Sequence, residues 1–116
     1  NNSEKETEVE ITYTQCTVDD MVKLLEENAL KAEKEYQDKY VEVTGKLSNI
    51  DSDGSYISLS CVNDELSFTT VQCYIQNDEQ LNKVMEMSTG DTVTLKGKVT
   101  SIGEVLGYYL DIDSIN

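Results

Sequence analysis

The chain has 116 residues, room for one domain with a single core, and no apolar run approaches the ~18 residues of a membrane-spanning helix. Its 23 acidic residues outweigh nine basic ones, all lysine, for a net charge of −14, and arginine, histidine, tryptophan and proline are absent. Missing are the bidentate fork that grips phosphates and the ring that most often serves as general base or metal ligand, while long-range repulsion opposes a phosphate backbone.

Three cysteines, Cys16, Cys61 and Cys73, allow at most one internal disulfide and form no CxxC pair of the kind that holds zinc. A cysteine nucleophile would find no histidine partner anywhere in the chain. No carboxylate pair stands out among the acidic residues as an acid and base. The expectation is a protein that is not an enzyme and carries no cofactor.

Residues 1–16 read as an acidic, flexible leader without period. Such a stretch resembles the tether between a membrane anchor and a folded domain. A helix follows over 18–36, capped by Thr17 with Asp20 in the capping-box position. Met21, Leu25, Asn28, Ala29, Ala32 and Tyr36 recur at steps of three and four and form its inner stripe. The opposite face carries both signs of charge, the pattern of a solvated surface.

From Lys39 the period becomes two. Val41, Val43, Gly45 and Leu47 alternate with polar residues in a first strand, where Gly45 suggests a bulge or bend. Asp51-Ser52-Asp53-Gly54-Ser55 is a turn; it has part of the spacing of a calcium loop but no distant glutamate. Ile57, Leu59 and Cys61 mark a second strand, residues 63–67 a loop, and Val71, Cys73 and Ile75 a third strand. Asn77 or Asp78 opens a helix to about Met87, with Leu81, Val84, Met85 and Met87 as its apolar positions. Val93, Leu95, Gly97 and Val99 form a fourth strand, and Leu110, Ile112 and Ile115 a fifth after a turn at Ser101–Gly107.

Three strands, a helix and two more strands is the order of the five-stranded Greek-key OB-fold barrel. The fold class expected is therefore all-β with accessory helices: a barrel over residues 17–116, an N-terminal helix, and a second helix between strands three and four.

Particular residues also resemble a family. Leu25, Asn28, Ala32, Tyr36 and Lys39 lead into Val41-Glu42-Val43-Thr44-Gly45 and Ile50; Val71-Gln72-Cys73-Tyr74 and Gly90-Asp91-Thr92-Val93-Thr94-Leu95-Lys96-Gly97 follow in order. Together they are similar to the tRNA-anticodon-like OB family of small bacterial proteins. The resemblance implies an OB barrel, frequent occurrence behind a lipoprotein signal, and no catalytic residues to carry over.

OB-folds bind most often across strands two and three. The outward residues there are Tyr56, Ser58, Ser60, Gln72, Tyr74 and Gln76, in which two tyrosines among hydroxyls and amides offer a stacking surface with hydrogen bonds around it. The same tyrosines also suit plain cross-strand pairing. Lys46, Lys96 and Lys98 are expected on neighbouring strands, as partners of surface carboxylates. The expected function is an extracytoplasmic binding module, lipid-anchored at full length, for a protein, peptide or saccharide. The alternative is a single-stranded nucleic-acid binder, which the charge disfavours.

Overall fold

The computed structural model describes residues 10–64 and 67–116. The first nine residues of the expected leader, and residues 65 and 66 of the expected 63–67 loop, lie outside them. The elements in order are β1 (Thr14–Thr17), α1 (Val18–Glu27), α2 (Ala29–Tyr36), β2 (Tyr40–Ile50), β3 (Tyr56–Ser60), β4 (Thr70–Tyr74), α3 (Asp78–Met85), β5 (Thr92–Gly103) and β6 (Gly107–Ile115).

β2 to β6 are the five strands legible in the sequence. They close on themselves: β2 pairs with β3, β3 with β4, β4 in parallel with β6, β6 with β5, and β5 back with β2. Closure works because β2 is long. Its first half, Tyr40–Lys46, bonds to β5, and its second half, Lys46–Ile50, bonds to β3. Alternate residues of each strand point inward, so Val41, Val43, Leu47, Ile57, Leu59, Val71, Cys73, Leu95, Val99, Leu110 and Ile112 fill the interior.

β1 has no signal in the sequence: the last three residues assigned to the leader, with the helix cap Thr17, join the sheet in parallel register with Val41–Thr44. Its polar Thr-Gln-Cys-Thr has no alternation of its own. Only the partner strand makes it a strand.

The single helix expected over 18–36 is two helices, broken at Asn28. That residue leaves helical geometry (φ −162°, ψ 90°), donates its own N–H to Leu24 O, and accepts Lys31 N–H on its side chain. It ends one helix and caps the next, so it is a corner and not part of an inner stripe. Thr17 caps α1 as expected, accepting the Asp20 N–H at 3.1 Å. The buried faces are Val18, Met21, Val22 and Leu25 of α1 and Ala32 and Tyr36 of α2. Asp19 pins the start of α1 to the segment after β3 by accepting the N–H groups of Val62 and Asn63.

Gly45 marks no bulge. The β2–β5 register runs unbroken through it, and the irregularity of β2 lies between Leu47 and Asn49. Gly45 is instead where Val18 comes down on the strand, leaving no space for a Cβ.

α3 covers one end of the barrel with most of the face expected, Val84 buried and Leu81 and Met87 half-buried, but Gln80 joins it and Met85 leaves it. Gln80 and Val84 are buried, whereas Met85 is 73% exposed. Gln80 is satisfied at both ends of its amide: Oε1 accepts from Gln76 N, and Nε2 donates to the carbonyls of Ile112 and Asp113. A buried polar residue with its bonds made holds a helix in one register, which apolar contact alone does less well.

Candidate ligand-binding face

The second and third barrel strands, β3 and β4, bring the expected residues side by side. Tyr56 lies opposite Tyr74, and Ser58 opposite Gln72. The two rings meet edge-on, with centroids 5.9 Å apart at 62°. Gln72 Nε2 donates to the Tyr74 hydroxyl at 2.8 Å, which leaves that hydroxyl its own proton to give.

Three expected members sit differently. Ser58 has the outward phase but is only 8% exposed. Ser60 turns its hydroxyl to the Lys46 carbonyl. Gln76 lies beyond the end of β4 and folds its amide back on the Tyr74 carbonyl.

The residue missed is Tyr109. Parallel pairing of β4 with β6 sets it opposite Gln72 and puts Asp111 opposite Tyr74. Its ring stacks on Tyr74 at 6.4 Å and 21°. The signal was present, since inward Leu110 and Ile112 force Tyr109 outward; what the sequence lacked was the identity of the neighbouring strand. The candidate site is thus a row of three tyrosines, Tyr56–Tyr74–Tyr109, with the Gln72 amide and the Asp111 carboxylate beside it.

The row is a surface and not a pocket. The larger recesses lie elsewhere: about 810 Å³ beside β1 and the two helices, floored by Cys16 and Leu24, and about 520 Å³ between the 51–54 turn and α3. Burial pushes the Cys16 thiol up to about 12, with Asp20 adding to the effect, so it stays protonated and poorly nucleophilic. In the 51–54 turn Asp51 accepts the Ser55 N–H, and Gly54 takes φ +76°, the turn role read from Asp-Gly.

A second aromatic group lies around the barrel. Tyr13 and Tyr40 meet edge-on at 5.9 Å; Lys96 stands over the first ring at 5.3 Å and Lys98 over the second at 5.8 Å. Two of the three lysines expected to pair with carboxylates thus rest on rings. The Tyr13 hydroxyl donates to Asp113 at 2.7 Å, a bond that raises its pKa to about 12.

A closed five-stranded barrel with a helix over one end defines an OB-fold domain. The chain belongs to the tRNA_anti-like family, whose model matches residues 1–106. No functionally curated protein sequence matches it. Among solved structures it is similar to a Klebsiella pneumoniae protein provisionally named a nucleic acid-binding lipoprotein. That match has TM-score 0.64 and 18% identity, over 85% of this chain and 87% of the other. It is also similar to U. maydis Replication protein A bound to ssDNA, with TM-score 0.53 and 15% identity over 93% of this chain and 74% of the other. A third similar structure is OBody AM1L10 bound to hen egg-white lysozyme, with TM-score 0.55 and 23% identity over 71% and 80%. At these identities the likeness is one of fold.

Proposed function

We propose that this chain is a non-enzymatic binding module that works outside the cytoplasm, lipid-anchored in its full-length form, and engages a protein, peptide or saccharide over Tyr56, Tyr74 and Tyr109. The observation that carries the reading is the tyrosine row itself. Three rings aligned across three strands, with the Gln72 amide beside them, suit a ligand that stacks and accepts hydrogen bonds without needing a cation. The similar Klebsiella protein, named a lipoprotein, supports the anchored location. The OBody complex supports an OB surface engaging a protein.

Amide NMR titration with a neutral hexasaccharide, a leucine- and tyrosine-containing peptide and a poly-dT oligonucleotide tests the reading. It expects shifts at the row with one of the first two probes, lost in Tyr74→Ala. Undisturbed row residues with all three would refute it. The location is tested by fractionating cells that express the full-length protein: recovery in the soluble cytoplasm would count against it.

The second reading, a single-stranded nucleic-acid binder, is favoured by the similar Replication protein A, whose structure holds ssDNA. Against it stands charge: nonspecific affinity comes from counterions released as cations neutralise phosphates, and nine lysines face 23 carboxylates. Stacking on tyrosines returns only ~1–3 kcal/mol per base. A dissociation constant below ~10 μM at ~150 mM salt, tightening as salt falls, would put this reading first.

A further inference from the structure

The strongest feature left unexplained is a group of large apolar side chains that the fold leaves in water at one end of the barrel. Phe68 is 94% exposed, Val105 80%, Leu106 66% and Leu30 65%. The backbone brings them to one place. Thr70 N donates to Leu106 O and Thr69 Oγ1 to Val105 O, which sets the segment carrying Phe68 against the β5–β6 turn. Leu30 joins from α2, across a shallow recess of about 200 Å³ that it lines with Ile102 and Glu104.

The turn does not need these side chains. It is made by glycine: Gly107 takes φ +108° with the Thr70 backbone packed where a Cβ would stand, and it pairs with Gly103. Turn tips ordinarily carry polar residues, so a Val-Leu pair here serves something outside the turn. Exposed apolar residues gathered at one place mark a contact surface.

Charge selects the partner. Glu33 and Glu104 line the recess, and Glu26, which accepts from Ser67 Oγ, borders the Phe68 segment; Lys34 is the lysine one helical turn from Leu30. An apolar centre within a carboxylate rim is the complement of a cationic protein segment with aliphatic or aromatic side chains between its lysines or arginines. A second copy of this chain would set one acidic rim against another, and a nucleic acid would meet the same repulsion.

We propose that Leu30, Phe68, Val105 and Leu106 form a docking surface for a basic, apolar-studded segment of a protein partner. It borders the tyrosine row, since Gly107 precedes Tyr109 by two residues, but uses different chemistry and does not depend on what covers the row.

The test is a titration, at ~150 mM salt, of the full chain with two synthetic peptides of about a dozen residues, one alternating lysine and leucine and one of lysine alone. The mixed peptide is expected to bind at least ~10-fold tighter, and the double variant Phe68→Ser, Leu106→Ser to remove that advantage. Both side chains are exposed, so the variant should melt as the parent does; Glu104→Lys, which keeps the apolar residues, should weaken both peptides and serves as the check if it does not. Equal affinity for the two peptides, or retention of the advantage in the double variant, overturns the proposal. So does competition by poly-dT, which would assign the surface to nucleic acid. A dimer of the parent chain in sedimentation that the double variant abolishes would assign it to a second copy. Amide shifts from the mixed peptide should fall at Leu30, Val105 and Leu106; shifts confined to Tyr56, Tyr74 and Tyr109 would assign its binding to the row and overturn the proposal.

Discussion

The hydroxyl of Tyr108 donates to the carbonyl of Met21 at 2.7 Å, inside the core, across 87 residues of sequence. Tyr108 opens β6 and Met21 sits mid-way along α1, so one bond ties the N-terminal helix to the last strand. The Tyr36 ring meets Tyr108 edge-on at 5.5 Å and 82°, adding α2 to the same junction. Tyr108→Phe keeps the ring and removes the bond. Because the Met21 carbonyl also lies within α1, the expected loss is about 1 kcal/mol, the net worth of one hydrogen bond, and not the larger cost of an orphaned group. Urea unfolding of parent and variant measures it; an unchanged midpoint would mean the bond is not made.

Leu25, 4% exposed, is one of the residues α1 sets into the core. Leu25→Asp should cost on the order of 2–4 kcal/mol through lost packing and a buried unpaired charge. A change below ~0.5 kcal/mol would show that the helix pair is an appendage, since surface substitutions have effects of that size.

Gly45 and Gly97 are required by close approach and not by backbone angle. A Cβ on Gly45 would strike the Val18 side chain, whereas one on Gly97 would strike the Asp111 backbone. Side chains give way more cheaply than a strand does. Gly97→Ala should therefore destabilise more than Gly45→Ala, with the latter in the ~1–3 kcal/mol range of overpacked cores. Thermal melts of the two variants, compared with each other, read the order directly.

Alkaline pH should destabilise the domain. Burial holds the Tyr36 hydroxyl at about 12 against an ordinary 10.0, raises Tyr108 as well, and lifts the Cys61 thiol to about 11 and Cys73 higher still from 9.0. Above pH ~9 the unfolded chain sheds these protons while the folded one keeps them. Their stabilisation is complete below the unfolded values and is lost as pH rises through the window from ~9 to about 12. With no histidine in the chain, stability between pH ~6 and ~8 should be nearly flat. Denaturant midpoints at pH ~6, ~8, ~9.5 and ~11 check both statements: a change between the first two would contradict the flat range, and a midpoint that holds at the highest pH would contradict the alkaline loss.

The cysteines show where a local reading stops. Cys61 and Cys73 both fall in phase with the core, and both are buried. Whether they meet depends on register, and Leu59 pairs with Val71 and Ile57 with Cys73. The two sulfurs therefore belong to positions four residues apart along the ladder, roughly 13 Å at a strand's rise, and they are free.

The same division runs through the site and the fold. Period-two alternation determined five strands, the interposed helix and the outward phase of Tyr56 and Tyr74, because which way a side chain points follows from its own neighbours in sequence. The caps were equally local: Thr17 reads as a helix start since its hydroxyl reaches an N–H three residues on. Tertiary structure decided what lies beside what. Thr14–Thr17 became a strand only through β2, Tyr109 joined the row only through the parallel pairing of β6 with β4, and Ser58 is buried despite its outward phase. Asn28 turned from a stripe position into a corner, ending α1 and capping α2. Hydrogen bonds between strands 30 residues apart carry no signature in either strand alone, since any extended segment offers the same donors and acceptors. That is why the facing of each residue could be read from the chain, and its neighbours only from the fold.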